Sequence, residues 1–179
     1  MKKEKKQEDK MDNQAIMEEY KKLATPGAPH KLLARMTGRW NTPTRSWTGP
    51  DKSPAESTGT CELKMLFDGR YLQQECSGEM MGSPFSGVGV TGYDNHTKKF
   101  VSTWMDSMNT DIYFFEGSGS ADDKGFTQES HYNDAVQGPM KWRAVTRLVD
   151  YNTFVFEMYG AYKKGKEEKM MEMTYTRKQ

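Results

Sequence analysis

The sequence is poor in cysteine and histidine, with two of the first and three of the second among 179 residues, and neither sign of charge is in excess: 26 Lys and Arg stand against 25 Asp and Glu. Each scarcity removes a class of function. Two cysteines cannot build a disulfide-stapled miniature domain, and a chain of this length, which buries about two-thirds of its unfolded surface, does not need one. His30, His96 and His131 have no metal-ligand spacing. A balanced charge offers no basic face, so nucleic acid is not an expected partner. Long apolar runs are missing as well. The longest is Ile112 to Phe115, and Met1-Lys-Lys-Glu-Lys-Lys is not followed by the apolar stretch of a signal peptide. The expectation is one domain in the cytoplasm, with no membrane span and no cofactor.

What is present is aromatic and flexible apolar material: 12% Phe, Trp and Tyr, with 14 Met and 16 Gly. Residues 1–11 carry dense charge without core-forming residues and read as a disordered tail. Residues 12–37 read as a helical segment. Asp12 or Asn13 caps a helix carrying Ile16, Met17, Tyr20 and Leu23 that ends before Pro26, and a second helix fits Pro29 to Met36 with Gly38 as its stop.

From Trp40 onward the apolar period changes from about 3.6 to 2, with turn residues every eight to twelve positions. Ten strands are predicted, at 38–48, 57–67, 70–80, 84–93, 99–106, 111–119, 125–132, 140–149, 153–161 and 167–177. No helical stretch between them is long enough for a parallel crossover. The fold class is therefore mainly β, and residues 38–178 form an antiparallel up-and-down barrel whose closure removes exposed edges.

Three turns set registers. A two-residue loop at Asp68-Gly69 places Cys61 opposite Cys76 and Leu63 opposite Gln74. The cysteines are expected as a hydrogen-bonded pair with Cα atoms about 5.5 Å apart, holding free thiols in a cytoplasmic setting. A three-residue loop Asp150-Tyr151-Asn152, with Asn152 left-handed, pairs Leu148 with Phe154 and Val145 with Glu157. A loop at Lys164-Gly165 pairs Phe156 with Met173, Met158 with Met171 and Glu157 with Glu172. All three registers give one apolar and one charged face, which a one-residue slip would mix.

Gly38-Arg39-Trp40 after a short helix, with Arg177 in the last strand, resembles the calycin signature of lipocalins and fatty-acid-binding proteins. There an indole closes one barrel end beneath a guanidinium. Longer stretches sharpen the likeness: Pro29-His30-Lys31-Leu32, Asp68-Gly69-Arg70-Tyr71-Leu72, Gly92-Tyr93-Asp94, Phe100 through Ser107 and Met171 through Lys178. Over about residues 28–178 these resemble a bacterial family of proteins of unknown function, number fifteen-seventy-nine in its series. The resemblance implies a calycin-like barrel and brings no catalytic residues.

The barrel reading gives a small-molecule-binding module holding one small hydrophobic ligand. Its expected lining is Phe100, Trp104, Trp142, Phe154, Phe156 and Met158, with Trp40 and Arg177 as the closure. Three alternatives stand beside it. An enzyme would use the Glu157–Glu172 carboxylates with Arg143, or Trp104 and Asp106; a haem-binding barrel would use an inward His131; a ligand-free scaffold would pair its strands in a homodimer. Gly87-Val88-Gly89-Val90-Thr91-Gly92 matches the dinucleotide fingerprint but precedes a turn and another strand, so its glycines read as sites of bending or close approach by a Trp ring. Asn95-His96-Thr97 is a glycosylation sequon with no context to support it.

Overall fold

The computed structural model describes residues 2–47, 53–80, 82–120, 122–134, 138–161 and 165–179, with side chains from Asn13 onward. Two helices, α1 (Lys2–Ala24) and α2 (Ala28–Ala34), precede twelve strand segments. These are β1 (Gly38–Asn41), β2 (Thr44–Ser46), β3 (Ala55–Ser57), β4 (Gly59–Leu66), β5 (Tyr71–Met80), β6 (Ser83–Asp94) and β7 (Lys99–Asp106). They continue as β8 (Tyr113–Gly119), β9 (Gly125–Asp134), β10 (Gly138–Leu148), β11 (Thr153–Ala161) and β12 (Glu167–Arg177).

The expected tail is part of α1, which begins at Lys2 and not at residue 12. Lys, Glu and Gln are good helix formers, and no Gly or Pro interrupts the chain before Pro26. Ile16, Met17 and Tyr20 are exposed on this helix. Its far end is tied to the barrel by Asn95, whose Nδ2 donates to the carbonyls of Leu23 (2.8 Å) and Thr25 (2.9 Å). The sequon asparagine is thus already committed to holding the chain. No helix among the described residues is long and apolar enough to cross a membrane.

From β4 to β12 each strand pairs antiparallel with the next in sequence, β2 pairs with β12 and β3, and β1 pairs with both β4 and β12, which closes the wall. Ten staves result from twelve segments. β1 and β2 are one stave broken at Thr42-Pro43, because proline has no N–H to give the ladder; β3 and β4 are another, interrupted at Thr58. Closure removes the edges on which a strand-pairing scaffold depends.

The Cys61–Cys76, Leu63–Gln74, Leu148–Phe154 and Val145–Glu157 partners stand in the predicted registers. The turns themselves differ. Phe67, Asp68 and Gly69 all have positive φ in a four-residue loop that keeps the same register, whereas Asn152 is not left-handed and instead donates its N–H to Asp150 Oδ1 at 2.7 Å. Lys164 and the Pro50-Asp51 separator lie outside the described residues. Opposite Met158 and Tyr159 of β11 the register shifts, so that Met158 faces Met171 but Tyr159 faces Lys169, with Met170 the extra residue in β12. This bulge leaves the Phe156–Met173 and Glu157–Glu172 pairs as predicted and turns Lys169 to the outer face.

Cys61 and Cys76 are joined as a disulfide, with Cα atoms 4.1 Å apart. The expected free thiols are therefore corrected. So is the pair type, since this separation belongs to a pair that does not exchange ladder hydrogen bonds.

Candidate functional site

Alternation directs one face of each strand inward. At the closed end Trp40, Phe154 and Tyr175 are buried together, the rings of Phe154 and Tyr175 stacking at 4.0 Å and Trp40 meeting Phe154 edge-on at 4.8 Å. Helix α2, with Leu32 and Leu33, and the turn after it, with Met36, cover this end, and the Met36 carbonyl accepts the Trp40 indole N–H at 2.9 Å. Arg177 lies over the indole and donates to the carbonyls of Thr37, Arg35 and Tyr151. Here Trp40 and Arg177 meet where the sequence placed them.

Above this plug the side chains leave a cavity of about 300 Å3. Five of the six residues expected to line it do so: Trp104, Trp142, Phe154, Phe156 and Met158. Phe100 does not. It is buried at the base, stacked on Phe126 at 4.4 Å, because its place near the start of β7 puts it level with the plug.

The glycine run explains how Trp104 fits. A Cβ on Gly87 would lie 2.3 Å from the Trp104 ring, and one on Gly89 would lie 2.8 Å from it. The indole lies flat against a strip of bare backbone, as the alternative to a dinucleotide site required. Its Nε1 donates to Asp106 Oδ2 at 2.9 Å, and Asp106 Oδ1 accepts the Met108 N–H at 2.9 Å.

Sequence reasoning missed the polar part of the wall. Thr91 on β6, Ser102 on β7 and Gln128 on β9 form one chain: the Thr91 and Ser102 hydroxyls are 2.8 Å apart, and Ser102 donates to Gln128 Oε1 at 3.0 Å. Across the cavity Gln74 Nε2 donates to Tyr175 Oη at 2.7 Å and lies 3.1 Å from Cys76 Sγ. Burial raises the Tyr175 phenol well above its ordinary value and keeps it neutral. Registering Thr91 against Ser102 across the β6–β7 hairpin was the available signal.

Near the open end Tyr113, Tyr132 and Trp142 form a cluster with ring centroids 5.2 Å apart. Tyr132 donates to Asp111 Oδ2 at 2.6 Å, and Asn109 donates to Tyr113 Oη. Trp142 Nε1 is buried without a hydrogen-bond partner among the described residues.

The carboxylate pair lies on the opposite face of the wall. Glu157 and Glu172 are directly opposed, as expected, but Lys169 lies between them and donates to both. Arg45 pairs with the second oxygen of Glu172, whose carboxyl is held below the ordinary range by Lys169 first and Arg45 second. Burial works against charge on Lys169, yet its bonds to Glu157 and Glu172 outweigh that and raise its pKa. Arg143 makes a two-pronged contact with Glu167 and stacks on Tyr159 at 4.1 Å, so it is not the partner of Glu157. None of Arg143, Glu157 or Glu172 lines the cavity.

His131 is exposed and faces Lys141 on the outer surface, so the inward haem ligand is corrected; its even-numbered neighbours Ser130 and Tyr132 take the inner face. No cluster of three potential metal ligands occurs among the described residues. A larger depression of about 850 Å3 runs over the outside of β4, β5 and β6 past Glu62, Glu75 and Val88, and is open to solvent.

Residues 25–177 match a family described as "Protein of unknown function (DUF1579)". No curated protein matches the chain. Among solved structures, the S-type phycobiliprotein lyase CPES from Guillardia theta is similar at 11% identity and a TM-score of 0.58, covering 83% of this chain and 92% of that one. A redesigned β-barrel is similar at 15% identity, with a TM-score of 0.45 and coverage of 83% and 96%. A de novo fluorescence-activating β-barrel follows at 14% identity and 0.42, covering 82% and 96%.

Proposed function

The chain belongs to the DUF1579 family, and from its closed barrel around an apolar cavity we propose that the protein binds one small, mainly apolar molecule inside the barrel. The cavity carries this reading. A chain with 14 Met and 21 aromatic residues has ample material to fill its own interior, yet about 300 Å3 is left open between aromatic walls. Empty apolar space forfeits packing contacts, and a ligand restores them. The Thr91–Ser102–Gln128 chain supplies the few polar groups that orient such a guest.

Carrier action is favoured over chemistry on the ligand because the opposed carboxylates are neutralised by Lys169 on the outer face, away from the cavity. Likeness to the phycobiliprotein lyase extends to the fold. Native mass spectrometry of the full chain purified from its own host tests the reading. One bound small molecule per chain is expected, and a homogeneous ligand-free protein that takes up no apolar probe would overturn it.

A further inference from the structure

The chemistry of the cavity wall also selects the charge of its guest, an argument that rests on the binding role just proposed. Among the described residues lining the cavity there is no Lys, Arg or His, and one carboxylate, Asp106. A barrel built for a fatty acid or another organic anion places a cation where the headgroup lies, since burying an unpaired anion is expensive. This wall does the reverse.

Asp106 has no cationic partner among the described residues, and its two hydrogen bonds, from Trp104 Nε1 and Met108 N, occupy one site on each oxygen. A carboxylate accepts about four such bonds, so acceptor capacity remains. The cavity it lines carries aromatic rings: Trp104, at whose edge it sits, then Tyr113 and Trp142, with Tyr132 behind them. Asp111, held by Tyr132, adds a second negative charge beside this cluster, also without a salt bridge among the described residues. Both carboxylates, added to burial, raise the Tyr113 phenol above its ordinary value, so no third anion forms there at neutral pH. Aromatic faces attract cations through their quadrupoles, and a carboxylate among them strengthens the effect.

We propose that the ligand is an apolar amine: an apolar body lodged between Trp104, Phe115, Phe156 and Met158, and a protonated nitrogen at Asp106 beside Tyr113 and Trp142. No covalent step is involved. Neutral ligands of the same shape bind more weakly, and carboxylates are repelled.

Three probes with one ring system and three charges separate these cases: 1-naphthylmethylamine, 1-naphthalenemethanol and 1-naphthoic acid, titrated calorimetrically into the full chain at neutral pH. The amine is expected to bind about tenfold tighter than the alcohol, the difference one charge-assisted hydrogen bond makes at its lower end, with the acid weakest. Asp106→Asn keeps an acceptor for Trp104 and should bring the amine to the level of the alcohol. Should that variant not fold, the ranking on the wild-type chain decides. Equal affinity for amine and alcohol, tighter binding of the acid, or an amine preference that survives Asp106→Asn overturns the assignment and leaves the small-molecule role standing. Binding of none of the three overturns the apolar-cavity reading and this inference together.

Discussion

The guanidinium carbon of Arg177 lies 4.2 Å from the ring centroid of Trp40, its register partner across β1 and β12. The contact joins the first stave to the last, so the plug and the closure of the barrel are one arrangement. Gly38 makes room for it: at φ +127° it adopts a backbone few side chains tolerate, and a Cβ there would lie 2.4 Å from Arg177 Nη1.

Arg177→Ala should therefore lower unfolding stability by about 1–3 kcal/mol, through lost stacking and the carbonyls of Thr37, Arg35 and Tyr151 left without their donor. Urea denaturation measures this. Probe affinity should stay unchanged, because the arginine is separated from the cavity by Trp40 and Phe154. An undiminished midpoint would show that the plug does not hold the closure.

Replacing Glu157 and Glu172 together with Gln should cost about 1 kcal/mol or less. The three groups of the Glu157–Lys169–Glu172 contact keep 26, 30 and 18% of their side-chain exposure, and pairs so near solvent are weak. Affinity for an apolar probe should not move. Its loss would place the functional groups on the outer face and revive the enzyme reading.

Stability should fall as pH drops below about 6.5, and His30 is the cause. Burial lowers its pKa against the opposing hydrogen bond to the Tyr93 backbone, with the charge of Arg70 lowering it further, and its Nδ1 accepts the Gly27 N–H at 3.0 Å. The unfolded chain takes up this proton first as pH falls, so the stabilisation is complete above the unfolded value and is lost between that value and the lower folded one. Glu167 and Glu172, held low by Arg143 and by Lys169, lose their contributions only below about 4.5. Thermal melts between pH 5 and 7.5 should slope for wild type and flatten for His30→Gln; equal slopes would remove His30 from the account.

Thiol titration of unreduced protein should find no free cysteine. The Cys61–Cys76 bridge spans 15 residues, a loop whose closure is worth about 3 kcal/mol at most where the hairpin is already hydrogen-bonded, so reductant should lower the melting temperature. Stable bridges belong to oxidising compartments, whereas the cytoplasmic expectation requires thiols. Two titratable thiols would fit that expectation and contradict the bridge.

Register was legible wherever strict alternation met a short turn. Cys61 opposite Cys76 and Phe156 opposite Met173 follow from period 2 and turn position, and the Trp40–Arg177 closure from the resemblance to the calycin signature. Oxidation state was not, since alternation places two sulfurs together without saying whether they bond. The bulge that turns Lys169 outward adds one residue without a Gly or Pro to mark it, so the cation between Glu157 and Glu172 stayed hidden. An inward His131 stood as an alternative because its side of β9 depends on a register whose turn had no decisive signal. The Thr91–Ser102–Gln128 chain escaped notice because it exists only once β6, β7 and β9 share one curved wall, and each residue alone reads as an ordinary strand position.

Calorimetric titration of 1-naphthalenemethanol into wild type and Ala144→Leu tests the cavity most directly. Ala144 is buried on the cavity wall, and the larger side chain fills part of the space a guest would take. The account predicts that the variant melts at or above the wild-type temperature, as cavity-filling changes do, and binds the probe at least about tenfold more weakly. Unchanged affinity in the filled barrel, or no binding by wild type, would contradict it.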